Sequence, residues 1–205
     1  MANSDRKAKE KEDLKALILS SAKKLFVEKG IEQTTIRNIA DAIDYSVGTV
    51  YVYFKDKNAI FHALHTGGFI QLGGEFKVLF YVTNPMERLK AMGNVYINFA
   101  LKNPDMYDLM FNMKAPMEFL NDANQEEWNE GKSTFNVLRN TVEQCMELGH
   151  FKGHLLEPTT FMIWSMVHGM CSLEISKRVC GVDIQSPETI VTESYQEFLK
   201  ILDKI

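Results

Sequence analysis

Residues 34–57 read TTIRNIADAIDYSVGTVYVYFKDK, and this stretch decides the fold. It holds two short runs of apolar residues spaced by three and four, each preceded by a residue that caps helices, Thr35 in the first and Ser46 in the second. The runs are Ile36, Ile39, Ala40 and Ile43, then Val47, Val50, Tyr51 and Phe54. Two short helices joined by a brief turn predict a helix-turn-helix.

A longer helix is predicted ahead of this pair. Apolar residues recur at three-and-four spacing from Leu14 to Phe26, and Gly30 supplies a stop, so the helix should run over about 7–29. Its first part, RKAKEKED at 6–13, alternates in charge, which is typical of a solvated helix start. Its lysines could add diffuse attraction to phosphates: Lys7, Lys9 and Lys11.

The rest of the chain also indicates helices, and no segment alternates with period two for long enough to make a sheet. Three helix starts are marked by a capping residue before a proline: Asn84-Pro85, Asn103-Pro104 and Ser186-Pro187. Pro158 marks a further start. The predicted helices of the body cover about 57–80, 86–102, 104–113, 122–148, 158–180 and 187–203. The predicted fold is all-α, with a three-helix helix-turn-helix head over 1–56 joined to a larger helical body over 57–205.

The residues of the head resemble a known signature. TTIRNIADAI, DYSVGTVYVYFKDK and the following NAIFHAL look like the DNA-binding segment of the tetracycline-repressor (TetR) family of bacterial transcription regulators, over roughly residues 14–64. WSMVHGM at 164–170 resembles the Trp-x-x-x-His-Gly motif of one class of TetR-like C-terminal domains. NPDMYDLMF at 103–111 resembles the segment that precedes that motif in the same class.

This resemblance implies a set of DNA-binding residues: Thr35, Arg37, Ser46, Val47, Gly48, Thr49, Tyr51, Tyr53 and Lys57. Tyr51 and Phe54 are expected to anchor the second short helix to the first long one. For both residues, packing in the core is the alternative to contact with a base. Tyr53 can offer its phenol to a phosphate, while Gly48 allows close approach to the groove.

Further roles follow for the remaining members. Thr49 presents a hydroxyl and a methyl to base edges, and Arg37 can reach a phosphate or a guanine. Thr35 and Lys57 would hold the DNA strand on either side, as the matching positions do in the family.

Two positions depart from the family pattern. Asp44 stands where a glycine is common in the turn, and aspartate tolerates left-handed backbone better than most residues, so the turn should still form. Val47 stands where a lysine or another polar residue is common, so we expect at most an apolar contact there, for example with a thymine methyl.

The same resemblance implies that the last two long helices form a homodimer interface and that the other body helices enclose a ligand. The predicted interface residues are Phe161, Ser165, Gly169, Ser172, Tyr195, Phe198 and Leu202. The predicted ligand-lining residues are Met106, Tyr107, Met110, Phe111, Met117, Trp128, Phe135, Trp164 and His168, each of which also fits a plain core. A two-fold dimer would place two heads about one DNA turn apart.

Composition narrows the function classes. The net charge is −4, but residues 1–60 hold 11 basic and 9 acidic residues while the rest holds 12 and 18, so the head is the better partner for a polyanion. No run of about 18 apolar residues and no apolar leader occurs, so we expect a cytoplasmic protein with no membrane span. The sequence lacks GxSxG, HExxH, phosphate-loop and dinucleotide motifs, and lacks a set of metal ligands at suitable spacing.

These observations predict a ligand-responsive dimeric regulator that is not an enzyme and needs no cofactor. It would act as a repressor, bind a double-stranded DNA operator and be released by a small, partly apolar inducer. Two alternatives remain open. One is a helical ligand-binding or interaction protein without DNA binding, and the other is a regulator that senses redox state through its three cysteines.

Overall fold

The computed structural model describes residues 2–113 and 129–204, and within them the chain forms helices and turns with no strand. The α-helices are α1 (Ala2–Lys29), α2 (Ile36–Asp41), α3 (Val47–Tyr53), α4 (Lys57–Lys77), α5 (Pro85–Lys102), α6 (Pro104–Phe111), α7 (Asn129–Glu147), α8 (Leu156–Ile175) and α9 (Ile190–Leu202). Two 3₁₀ segments, Val78–Tyr81 and Val179–Gly181, follow α4 and α8. The all-α prediction is confirmed, and α1 begins five residues earlier than expected.

The chain divides into two compact units. Of the described residues, 2–69 with 105–113 make the first unit, and 70–104 with 129–204 make the second. Within the described ranges, no helix combines the length and apolar character needed to cross a bilayer.

The first unit is built around the side of α1 that carries Ile18, Ala22 and Phe26, all fully buried. These residues pack in one cluster with the buried faces of α2, α3 and α4. Gly30 ends α1 with φ +79°, as the sequence predicted, and its N–H bonds the Phe26 carbonyl at 2.9 Å. The buried Thr34 hydroxyl lies 2.8 Å from the Gly30 carbonyl, to which it donates, and so ties the next turn to the end of α1.

The second unit packs α5, α7, α8 and α9 around a shared core. Its buried residues come from α5 (Met86, Leu89), α7 (Val142, Cys145), α8 (Ile163), α9 (Leu202) and the turn residue Phe151. The start of α5 confirms the capping prediction, because Asn84 Oδ1 accepts from the N–H groups of Met86 and Glu87 at 2.9 and 3.0 Å.

Of the other predicted helix starts, α6 begins at Pro104 as expected, whereas α8 and α9 begin at other residues. The Asn103 side-chain amide donates to the Phe99 carbonyl at the end of α5 (2.9 Å). Helix α8 begins at Leu156, so Pro158 lies inside its first turn, where a missing N–H is tolerated. Ser186-Pro187 does not open a helix. The Ser186 carbonyl accepts the Thr189 N–H at 3.3 Å in a turn, and α9 starts at Ile190.

Helix α9 approaches α5 closely at Tyr195. Tyr195 is 2% exposed, and its hydroxyl donates to the Lys90 carbonyl at 2.6 Å. Gly93, one turn later on α5, leaves the space that the Tyr195 ring occupies. Lys90 also pairs with Asp203 at 2.5 Å, and this bond raises the pKa of Lys90.

Candidate nucleic-acid interface

Helix α2 is held by a reciprocal cap at Thr35. The Thr35 hydroxyl accepts from the Asn38 N–H (3.1 Å) and donates to Asn38 Oδ1 (2.8 Å), while that oxygen accepts from the Thr35 N–H (3.0 Å). Two backbone donors that a helix start leaves without partners are thereby satisfied. Arg37, on the first turn of α2, is exposed.

The turn after α2 depends on Asp44. Its φ is +58°, the left-handed conformation that glycine adopts most readily, and the following Tyr45 N–H bonds the Ala40 carbonyl at 3.0 Å. The expectation that aspartate can replace glycine here is confirmed. Because this turn brings Ser46 to the start of α3, it sets how α3 leaves α2.

Helix α3 turns Val50 and Phe54 inward and other residues outward. Val50 is fully buried and Phe54 nearly so, both in the core of the first unit. Tyr51 is 53% exposed and Val52 74% exposed. The prediction that Tyr51 anchors α3 is therefore wrong, because the anchoring position is taken by Val50, one residue earlier.

Two residues at the start of α3 make hydrogen bonds that stabilise the helix. Ser46 Oγ accepts from the Thr49 N–H at 3.0 Å, and the two hydroxyls of Ser46 and Thr49 lie 2.8 Å apart. Val47 and Tyr53 are partly buried against the core. Gly48 is exposed, and a Cβ added to it would meet nothing nearer than Ser46 Oγ at 3.6 Å, so nothing inside the unit requires glycine.

Lys57 has a partner inside the chain. Its Nζ donates to the carbonyl of Ile31 at 2.5 Å and lies 3.4 Å from that of Glu32, so it ties the start of α4 to the turn after α1. Asp56 caps α4, with its carboxylate accepting from the Ala59 N–H at 2.7 Å. This cap was not predicted, although an aspartate just before a helix is a recognisable signal.

Four of the predicted ligand-lining residues, Met106, Tyr107, Met110 and Phe111, lie together in the first unit. Tyr107 is fully buried, with its ring centroid 5.0 Å from that of Phe111, which in turn lies 5.5 Å from Phe69. The methionines pack on Gly68, where an added Cβ would lie 2.5 Å from Met110 Sδ and 3.0 Å from Met106 Sδ. His65, between Phe61 and Phe69, joins this group and was missed.

Three others lie together in the second unit. The ring of Trp164 lies 5.9 Å from Phe135 and 5.6 Å from His168. His168 Nδ1 is hydrogen-bonded to the Tyr96 hydroxyl at 2.9 Å, and burial lowers the pKa of the imidazole. Tyr96 was missed because it is 72 positions away in sequence. The predicted Met117 and Trp128 lie outside the described residues.

Family models match both parts of the chain. Residues 18–64 match the model of bacterial regulatory proteins of the tetR family, and residues 89–198 match the model of the tetracyclin repressor-like C-terminal domain. The chain belongs to the TetR family. It is a TetR-family transcriptional regulator, and both its family and its fold are those of transcriptional regulators rather than enzymes.

Individual relatives agree with this assignment. The HTH-type transcriptional repressor Rv1474c of Mycobacterium tuberculosis is 40% identical over 47 residues, which is 23% of this chain and only a quarter of that protein's length. The fatty acid degradation regulator FadR of Bacillus halodurans has the same fold, with a TM-score of 0.72, 18% identity and coverage of 92% of this chain and 93% of that one. The ketosteroid transcriptional regulator KstR2 of Mycobacterium tuberculosis gives a TM-score of 0.68, 19% identity and 92% coverage of each chain.

The predicted interface residues of this TetR-family regulator fall into two groups. Phe161 and Ser165 are exposed on α8, and Gly169, Ser172 and Phe198 are partly exposed. Tyr195 and Leu202 are instead buried within the chain, against α5 and in the core of the second unit, which leaves almost none of their surface for a partner. The exposed apolar residues on the Phe161 side of α8 that the sequence reading missed are Met162, Met166 and Leu173.

The three cysteines of this regulator are free thiols in different surroundings. Cys145 and Cys171 are fully buried, and burial raises their pKa values to about 11 and about 12. A buried thiol held in its protonated form reacts slowly with oxidants. Cys180 is exposed.

Proposed function

We propose that this TetR-family protein is a dimeric repressor that binds a double-stranded DNA operator through residues 1–56 and is released by a small, partly apolar inducer bound in residues 57–205. The proposal rests on the difference between the two sides of α3, one of which is buried and the other exposed. Val50 and Phe54 are buried in the core of the first unit, while Gly48, Tyr51 and Val52 are exposed on the other side of the helix.

This outer face suits contact with a DNA groove. Gly48 offers backbone without a side chain, Tyr51 offers a ring and a hydroxyl, and Val52 offers methyl groups that can meet a thymine methyl. Arg37, exposed on α2, adds a cation that pairs with phosphate or guanine. The hydroxyls of Ser46 and Thr49 bond each other, so we expect sequence readout to rely less on them.

The test of DNA binding is a selection of sites from random duplexes, followed by the affinity of the best site across a salt series. A palindromic site bound at about 10⁻⁸ M or tighter, with affinity falling steeply as salt rises, supports the proposal. Failure to bind any duplex at low salt would favour the alternative of a helical binding protein without DNA function.

Tyr51→Ala is the sharpest single variant for this test. We expect it to weaken operator binding by about fivefold or more, since a removed contact typically accounts for about 1–3 kcal/mol. Tyr81→Ala is the matched control, because Tyr81 is an exposed tyrosine on the 3₁₀ segment of the other unit. Lys57→Ala is a poorer test, because it also removes the bond to the Ile31 carbonyl.

The proposed dimer uses the exposed apolar side of α8. Phe161, Met162, Met166 and Leu173 are exposed along α8, whereas Ile163 and Val167 are buried. The small residues Ser165 and Gly169 lie between Phe161 and Met162 around the helix. A contiguous apolar surface of this kind is typical of a protein interface. We expect Met166→Glu to convert a dimer to a monomer in sedimentation velocity, because burying an unpaired carboxylate is strongly unfavourable.

The control for the dimer is Val78→Glu. Val78 is an exposed apolar residue of the same unit on the 3₁₀ segment after α4, so the same charge is added away from α8. A dimer that persists in Met166→Glu, or one that Val78→Glu also dissociates, would count against this interface.

The proposed inducer site includes the cluster of Tyr96, Phe135, Trp164 and His168. Its rings offer apolar contact, and the Tyr96–His168 pair offers hydrogen bonds to a polar end of a ligand. An inducer acts by binding the free form more tightly than the operator-bound form. A panel of apolar acids, alcohols and aromatic compounds should therefore contain one that releases the operator.

Trp164→Leu tests the assignment of this cluster. It should raise the concentration of the releasing compound needed for half-release several-fold while leaving operator affinity without that compound unchanged. A compound that binds the free and operator-bound protein equally would contradict the proposed mechanism.

A further inference from the structure

The first turns of α1 carry their charges in a segregated pattern. Residues 5–15 contain five basic and four acidic side chains. Three of the lysines are spaced by four and therefore share one side of the helix: Lys7, Lys11 and Lys15. At about 100° per residue, the acidic residues all lie about 100° or more from the middle of that side: Asp5, Glu10, Glu12 and Asp13. We name the three lysines the lysine stripe.

The lysine stripe continues the side of α1 that packs into the first unit. Lys7, Lys11 and Lys15 lie seven residues, close to two turns, before Leu14, Ile18 and Ala22 respectively. Ile18 and Ala22 are buried in the core that α2 and α3 also form, and Leu14 packs against it. The stripe therefore extends beyond the core on the same side of α1 as the proposed DNA-reading helices.

The stripe lysines have no acidic partner within the part of the chain that the structure describes. Among the side chains that the structure describes, none of the three forms an ion pair, whereas Arg6 pairs with Glu10 at 3.5 Å on another side of α1. Lys7 and Lys11 are exposed, and Lys15 is partly buried. Lys9 is close to Lys7 and Lys11 in sequence, but it lies on the opposite side of the helix.

We infer that the lysine stripe is a second DNA contact surface, which binds phosphates of the duplex beside the site that α3 reads. This inference rests on the proposed function. The stripe spans about 12 Å along α1, and phosphates of one strand follow each other every 3.4 Å along the DNA axis, so the stripe is long enough to face several of them. A lipid surface is a poorer partner, because residues 5–13 contain Ala8 as their one apolar side chain and thus lack the apolar face of an interfacial helix.

The experiment compares two triple variants of the full chain. K7Q/K11Q/K15Q removes the stripe, and K9Q/K23Q/K24Q removes the same charge from other sides of α1. Binding of a fluorescein-labelled duplex of mixed sequence is measured by anisotropy across a salt series, and thermal unfolding confirms that both variants are folded. Each phosphate contact contributes about 0.9 to the slope of log affinity against log salt. We expect the stripe variant to lose up to about 2.7 of this slope for each bound subunit, and the control to lose less than about one.

The outcomes separate this inference from the proposed function. A wild-type protein that binds no duplex at low salt overturns both. A steep wild-type slope that is unchanged in the stripe variant overturns the stripe alone, and so does an equal loss in both triple variants, since net charge would then explain it. If the stripe variant keeps its DNA slope but loses binding to phosphatidylglycerol vesicles, the surface belongs to lipid and the inference is wrong.

Discussion

Gly93→Ala is expected to destabilise the protein, although alanine is normally the better helix residue. Gly93 lies within α5, where the exchange alone would stabilise the helix by about 1 kcal/mol. A Cβ at this position would overlap Tyr195 Oη and lie 2.5 Å from Cζ and 2.8 Å from Cε2 of the same ring. The ring cannot turn away easily, because it is almost fully buried and its hydroxyl is bonded to the Lys90 carbonyl.

The expected magnitude follows from three contributions. Forcing an extra carbon into a packed core costs about 1–3 kcal/mol. Displacing the Tyr195 hydroxyl from the Lys90 carbonyl costs about 1 kcal/mol more. Subtracting the gain in helix propensity leaves a net loss of about 1–3 kcal/mol in the free energy of unfolding.

Urea unfolding followed by circular dichroism measures this difference, with Gly74→Ala as the matched control. Gly74 is an exposed glycine within α4, and a Cβ added there meets nothing within 4 Å, so its exchange should stabilise by about 1 kcal/mol. The two variants should therefore change stability in opposite directions. If Gly93→Ala stabilised the protein as Gly74→Ala does, the proposed contact between α5 and α9 would not exist in solution.

Two further predictions concern the head and the buried histidine. Ser46→Ala should lower the free energy of unfolding by about 1 kcal/mol by removing the cap of α3, whereas Ser46→Asp should retain most of it; equal losses in both variants would contradict the capping role. Burial lowers the pKa of His168 from its ordinary 6.5, so the unfolded state binds more protons and the free energy of unfolding should fall as the pH drops below about 6.5. In His168→Asn, urea unfolding at about pH 7 and pH 5 should show less of this fall, and an unchanged fall would assign the pH dependence to other groups.

Local rules explain what could be predicted from the sequence. The caps at Thr35, Ser46 and Asn84 and the stop at Gly30 each depend on residues within a few positions, and all four were confirmed. The spacing of apolar residues likewise sufficed to place the long helices and to exclude a sheet among the described residues.

Spacing could not choose the inner face of α3. In a helix of seven residues, Val47, Tyr51 and Phe54 fit one face as well as Val50 and Phe54 fit another. The choice depends on which side chain the cores of α1 and α2 accept, and they accept Val50. The aromatic ring of Tyr51 is consequently left outside, where the sequence reading had expected an anchor.

Contacts between distant residues account for the other differences. Lys57 bonds Ile31 across 26 positions, and Tyr195 bonds Lys90 across 105, so neither partner is visible in a local pattern. At Ser186-Pro187, the capping residue and the proline form a single turn and no helix. Helix α9 begins after this turn, where Val191 and Tyr195 are buried. The candidate interface changes for the same reason, since Tyr195 and Leu202 pack inward.

The unequal burial of the three cysteines provides a natural attachment point for a probe. At neutral pH a maleimide dye or spin label should modify Cys180 and spare Cys145 and Cys171, whose thiols are buried and protonated. Cys180 lies in the short 3₁₀ segment between α8 and α9, which belongs to the second unit, whereas α1, α2 and α3 belong to the first. The unmodified sequence can therefore report on movement of this connection by fluorescence or by electron paramagnetic resonance, without cysteine replacement.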